Sequence, residues 1–135
     1  MIYSVLLLCL LFLCLNRNNT FVGTKTIHIK KIFRTRQEQQ KGLMFKKNID
    51  PDIGYMFYYN PPAATSFWMK NTYIPLDIIF IDKHKRIVHM LENMVPHDLT
   101  SKGYNKKVKY AIEIKSGFVK TNNLRNGQNI AFNYI

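Results

Sequence analysis

Trp68, Lys70, Asn71, Thr72 and Asp77 crowd into one short stretch of the 135-residue chain, and their side chains are of the kinds that line small-ligand pockets. A flat aromatic ring beside an amine, an amide and a hydroxyl suits a small polar molecule or a sugar. Lys70 would act there as a point charge for an anionic group. Asp77 interrupts a run that is otherwise Leu, Ile and Phe, where an unpaired carboxylate is costly, so it needs a partner. Lys70 or a backbone turn would make Asp77 structural. Glu113, from a different segment, could instead raise the Asp77 pKa and complete a general acid–base pair. The candidate ligand-binding set is therefore Trp68, Lys70, Asn71, Thr72, Asp77 and Glu113, with no residue given a catalytic role. The competing packing reading makes Trp68 a core residue and pairs Lys70 with Asp77.

Other chemistries lack their residues. His28, His84, His89 and His97 have no metal-ligand spacing, so no metal is expected. No glycine-rich phosphate loop or serine elbow occurs, and no cofactor is expected. The two cysteines, Cys9 and Cys14, both lie in the N-terminal apolar run. Removal of that run leaves no thiol for a disulfide, nucleophile or metal site. Tyr55, Tyr58, Tyr59 and Tyr73 could stack bases, but aromatic side chains in a small β domain are more often core, so nucleic acid is not the expected partner. The formal net charge of +12 is dispersed apart from Lys30-Lys31 and Lys106-Lys107, which is compatible with weak attraction to an anionic surface and with drift toward lysine.

The elements that must position these residues are short. Met1 to Leu15 is a nearly unbroken apolar run, of signal-peptide length rather than membrane-spanning length. Residues 1–23 are read as a signal peptide or hydrophobic leader, and 24–135 as one domain. Export to the periplasm or outside the cell follows, with membrane anchoring by an uncleaved leader as the alternative. An apolar fraction of 47% is enough for a true core in that domain. Thr26 to Phe33 is expected as a strand with Ile27, Ile29 and Phe33 on one face. Thr35 and Glu38 have capping-box spacing for a helix from Arg36 to Lys41, with Gly42 beyond its end. Gly54 to Tyr59 reads as a strand closed by Asn60-Pro61-Pro62, and Phe67 to Lys70 as the next, with Trp68 and Lys70 on one face and Phe67 and Met69 on the other.

Leu76 to Asp82, apolar on both faces, reads as a central strand, and Arg86 to Leu91 as its hairpin partner. Asn93 to Asn105 reads as a loop. In Val108 to Lys115 the alternation turns Val108, Tyr110, Ile112 and Ile114 inward and Lys109, Glu113 and Lys115 to the other side. A helical turn after Ser116-Gly117, a turn at Asn126-Gly127 and a strand from Asn129 to Tyr134 complete the chain. The expected class is mainly β: a compact antiparallel sandwich or barrel of about seven strands with two short helices.

The set Glu38-x-x-x-Gly42-Leu43-Met44, Gly54-x-Met56-Phe57 and Phe67-Trp68-Met69-Lys70-Asn71-Thr72-x-Ile74-Pro75-Leu76-Asp77-Ile78-Ile79-Phe80-Ile81-Asp82 resembles the prokaryotic family called domain of unknown function 192. The resemblance continues through Glu113, Gly117 and Gly127. It implies a compact, mostly β single domain, often with a secretion signal, and no assigned activity. The chain departs from the family pattern at Gln39, where an arginine is usual, and at Gln128, where an aspartate is usual.

The functional expectation is an exported, non-catalytic binding or accessory domain for a small polar or cell-envelope ligand. The alternatives are a cell-envelope hydrolase or lyase using paired carboxylates, and a basic binder of nucleic acid or membrane surface.

Overall fold

The structure is a computed structural model that describes residues 23–135. The leader expected over 1–23 lies outside the described residues, apart from Gly23. Six strands and two short helices follow in order: β1 (Lys25–Phe33), α1 (Arg36–Lys41), β2 (Ile53–Phe67), β3 (Leu76–Ile81), β4 (Ile87–Met94), β5 (Lys102–Lys115), α2 (Phe118–Thr121) and β6 (Ile130–Tyr134). They form one mainly β sheet in the order β4-β3-β5-β2-β1-β6, curled into a half-barrel.

The central pairs β4/β3, β3/β5 and β5/β2 are antiparallel, but β1 runs parallel to both β2 and β6. The purely antiparallel expectation is thus corrected at one side of the sheet. Parallel neighbours need a crossover rather than a hairpin, and the segment carrying α1 supplies it between β1 and β2. Where the two edge strands approach each other, Ile87 N–H donates to Gln128 O (2.9 Å), Gly127 N–H to Ile87 O (2.7 Å) and Ile130 N–H to Lys85 O (2.8 Å). These bonds close the half-barrel at one corner.

Two corrections concern strand bounds. The expected third strand at Phe67 to Lys70 is instead the end of β2, which runs through Asn60-Pro61-Pro62. Its pairing with β5 jumps from Tyr58↔Tyr110 to Ala63↔Val108, so both prolines sit in a bulge where no ladder donor is required. In β1 the register passes from Ile29↔Gly54 to Lys31↔Tyr55, leaving Lys30 as an extra residue. Phe33 therefore leaves the face of Ile27 and Ile29. The expected loop also shortens, because β4 continues to Met94 and β5 begins at Lys102.

Each face of the sheet carries its own core. Ile27, Ile29, Met56, Ile79, Ile81, Ile112 and Ile114 pack with Phe118 and Val119 of α2. Phe33, Phe57, Phe67, Leu76, Ile78 and Phe80 pack on the opposite face with Leu43 and Met69 from the connections. All six residues of β3 are buried, as expected of a strand covered on both sides. Val108 belongs to the second core although Ile112 and Ile114 belong to the first, so the expected alternation along β5 breaks between them.

Candidate functional site

Neighbouring register positions decide where the two acids point. Asp77 pairs with Ile114 and Ile78 pairs with Glu113. Paired residues share a face and successive residues alternate, so Asp77 and Glu113 project from opposite sides of the sheet. They cannot form the acid–base pair that the sequence allowed.

Asp77 is 1% exposed and fully engaged. Its Oδ1 accepts from Asn93 N–H (3.0 Å), and its Oδ2 from Gly117 N–H (3.1 Å) and Val119 N–H (3.0 Å). Gly117 is the N-cap of α2, at φ 96°, and has no side chain to cap the helix. Asp77 supplies that cap from a distant strand. The side chain of Ser116 donates to Asn93 Oδ1, tying the same two segments. No ion pair joins Lys70 to Asp77 among the described residues.

Glu113 has the opposite environment. It pairs across to Tyr55 on β2 and Ile78 on β3, within the aromatic core. It is 6% exposed, and its Oε2 is buried without a hydrogen-bond partner. Burial pushes its pKa up to about 8, with the Leu43 amide pulling weakly the other way.

Above this carboxyl lies a cavity of about 260 Å³ between α1 and the second half of β2. Glu113 is the deep end and Trp68, 45% exposed, the outer edge. Tyr59 and Thr65 form a wall, their hydroxyls 3.1 Å apart. Burial pushes the Tyr59 phenol up to about 12, the Thr65 hydrogen bond lowers it, and the Glu113 charge adds to the rise. Gln39 fixes the roof: its amide nitrogen donates to Phe33 O (3.2 Å) and Tyr58 O (3.0 Å), pinning α1 across β1 and β2. Helix α1 itself carries the expected capping box, Glu38 N–H donating to Thr35 Oγ1 and Thr35 N–H to Glu38 Oε2, each at 3.1 Å. Gly42, at φ 46°, closes the helix where a Cβ would stand 3.2 Å from the Phe57 ring and 3.3 Å from Glu113 Oε2.

The six candidate residues divide accordingly. Trp68, Thr72 and Glu113 line the cavity. Lys70 does not line it; its ammonium lies 5.1 Å from the centroid of the Trp68 ring, on the exposed side. The expected alternation holds here, with Phe67 and Met69 buried between exposed Trp68 and Lys70. Asn71 forms the turn at φ 51°, its carbonyl accepting from Phe45 N–H at 2.8 Å. The Thr72 hydroxyl donates to Lys70 O, so it serves the same turn. Asp77 belongs to the other face.

Tyr59, Thr65 and Gln39 went unassigned to the site in the sequence. The apparent stop at Pro61-Pro62 hid the fact that Tyr59 and Thr65 share one strand. Gln39 stood out only as a departure from a family pattern. Among the described residues, no three His, Cys, Asp or Glu side chains are grouped closely enough to hold a metal ion.

A curled β sheet with a small acid-floored cavity under a short helix defines a compact β domain of the small-pocket kind. The chain belongs to the family called domain of unknown function 192, described as an uncharacterized ACR, whose model matches residues 18–132. A crystal structure of a protein of unknown function from Novosphingobium aromaticivorans DSM 12444 is 37% identical, with TM-score 0.70, covering 73% of this chain and 70% of that one. A Sinorhizobium meliloti 1021 protein, described as a proposed transcription regulator, is 31% identical with TM-score 0.72, covering 75% of this chain and 78% of that one. No curated protein matches the chain.

Proposed function

We propose that the chain is a non-catalytic binding or accessory domain, exported by its leader, that holds a small polar ligand between α1 and the end of β2. The observation that carries this reading is the cavity with Glu113 Oε2 unpartnered at its deep end. A buried polar atom without a partner is unfavourable unless something supplies one. At about 260 Å³ the cavity falls below the usual range for drug-sized molecules, so the ligand is small. The hydrolase or lyase alternative needs paired carboxylates, and the opposite facing of Asp77 and Glu113 removes that support. The apolar run from Met1 to Leu15 is the reason for placing the domain outside the cytoplasm, where cell-envelope fragments are available ligands.

Thermal-shift titration with small sugars, amides, carboxylates and amines tests the reading, using wild type beside Trp68→Ala. Trp68 is substantially exposed, so its truncation leaves the core intact. Ligands that raise the wild-type Tm should raise that of the variant less. Equal shifts in both proteins would move the binding site elsewhere.

The formal charge of +12 and the description of the Sinorhizobium protein favour nucleic-acid binding as a second reading. Duplex binding should then fall steeply between 50 and 200 mM salt. Salt-insensitive or absent binding removes it.

A further inference from the structure

The charges around the cavity are unequally placed. Arg36 and Lys41, both exposed on α1, line it together with Glu113, which is buried. Neither cation has an acidic partner among the described residues. A neighbouring groove of about 560 Å³ shares Lys41, Gly42 and Met44 with the cavity and adds Lys30, Lys46 and the Lys31–Glu38 ion pair, so its cations outnumber its one acid. The approach is therefore positive, while the interior holds one acid with an unsatisfied oxygen.

Three ligand chemistries are available to such a site. A cation would enter past two like charges to reach Glu113 and would need the carboxylate ionised in an aromatic core. A neutral ligand would satisfy the Glu113 carboxyl but leave Arg36 and Lys41 unused. An anion uses both features, drawn in by the cations and accepting a hydrogen bond from a neutral acid at the bottom. We infer that the cavity takes a small ligand bearing a carboxylate, which accepts the proton-bearing oxygen of Glu113 as donor and is held by Arg36 and Lys41 at the mouth. This rests on the reading of the cavity as a ligand site and adds the ligand's class. An O–H···O⁻ bond of this kind is among the stronger protein hydrogen bonds, and a low-dielectric pocket favours it.

The protonation it requires agrees with the elevated Glu113 pKa of about 8. The titratable groups on Glu113's side do not confuse the readout. From α1 these are Arg36 and Lys41. From β2 they are Tyr55 and Tyr59, the latter raised to about 12. Along β5, Lys115 stands two positions on and makes no ion pair with Glu113 among the described residues. From β3, Asp77 points to the other face.

The test is calorimetric titration of the full chain with acetate, propionate and lactate, beside acetamide and propylammonium, from pH 6 to 9. These carboxylates carry constant charge over that range. Wild-type affinity for them should fall about tenfold between pH 7 and 9, following the loss of the Glu113 proton. Glu113→Gln, which keeps a donor without titrating, should bind with no such fall. The surface variant Arg36→Gln/Lys41→Gln should bind severalfold more weakly, with less salt dependence, and remains informative if Glu113→Gln does not fold. Tighter binding of propylammonium, or affinity that rises with pH, overturns the inference. So does a pH profile unchanged in Glu113→Gln. Binding of acetamide alone overturns the carboxylate assignment but keeps the ligand-site reading. No binding by any probe, together with no thermal-shift hits, overturns both.

Discussion

Asp77 and Glu113 are carboxylates inside the same sheet, one register step apart on adjacent strands, and they meet opposite fates. Asp77 receives three backbone N–H groups and closes α2. Glu113 lies among Phe57, Leu43 and Ile78 with one oxygen unbonded. Burial alone therefore does not tell an architectural acid from a chemical one. The number of donors that meet each oxygen does.

Breaking the first half of the comparison should have the largest effect. Asp77→Ala leaves three N–H groups without their acceptor, that of Val119 buried and those of Asn93 and Gly117 part-buried, and should cost about 3–5 kcal/mol in urea unfolding. A loss under about 1 kcal/mol would mean that water or a neighbouring group replaces the cap.

Glu113 should behave in the reverse sense. Its folded pKa of about 8 exceeds its ordinary value of 4.5, so between these values the folded state holds a proton that the unfolded state has lost. Stability is greatest below 4.5, falls by about 1.4 kcal/mol per pH unit through the window, and levels off above about 8. Glu113→Gln removes this slope and should be more stable than wild type at pH 9, by about 2–4 kcal/mol. Parallel stability curves for the two proteins from pH 5 to 9 would contradict an unpaired Glu113.

The smallest effect tests whether a cap's depth sets its worth. Thr35 caps α1 from an exposed position, whereas Asp77 caps α2 from the interior. Thr35→Ala should cost about 1 kcal/mol by thermal melting, well below the Asp77 variant. Equal losses would collapse the distinction.

Local signals read correctly because their causes are local. The Thr35–Glu38 box, the strand at Leu76 to Ile81 and the alternation of Phe67 to Lys70 depend on a few adjacent residues. Parallel pairing of β1 with β2 and β6 does not, because it is set by which distant strands flank β1. A single inserted residue at Lys30 was enough to turn Phe33 away from its expected face. The site was half legible for the same reason. Trp68 and Thr72 come from one stretch, but Tyr59 and Thr65 join them only if β2 is seen to continue past Pro62. That Glu113 faces an aromatic core, not solvent, follows from α1 and its connection covering that side of the sheet. The two departures from the family pattern also carry structural duties: Gln39 pins α1, and Gln128 accepts from Arg125 N–H through its side chain and from Ile87 N–H through its carbonyl.

The Gln128–Ile87 contact belongs to the corner where the half-barrel closes. Only the beginnings of β4 and β6 are joined there, through Lys85, Ile87, Gly127, Gln128 and Ile130. Arg86 and Asn129 pair antiparallel there, so β4 and β6 leave the joint in opposite directions and reach Met94 and Tyr134 with no strand along their outer sides. Each edge strand is thus riveted at its start and open along the rest of its outer side. Deuterium should enter the outward-facing amides of both edge strands as a gradient, slowest beside the rivet and fastest toward Met94 and Tyr134.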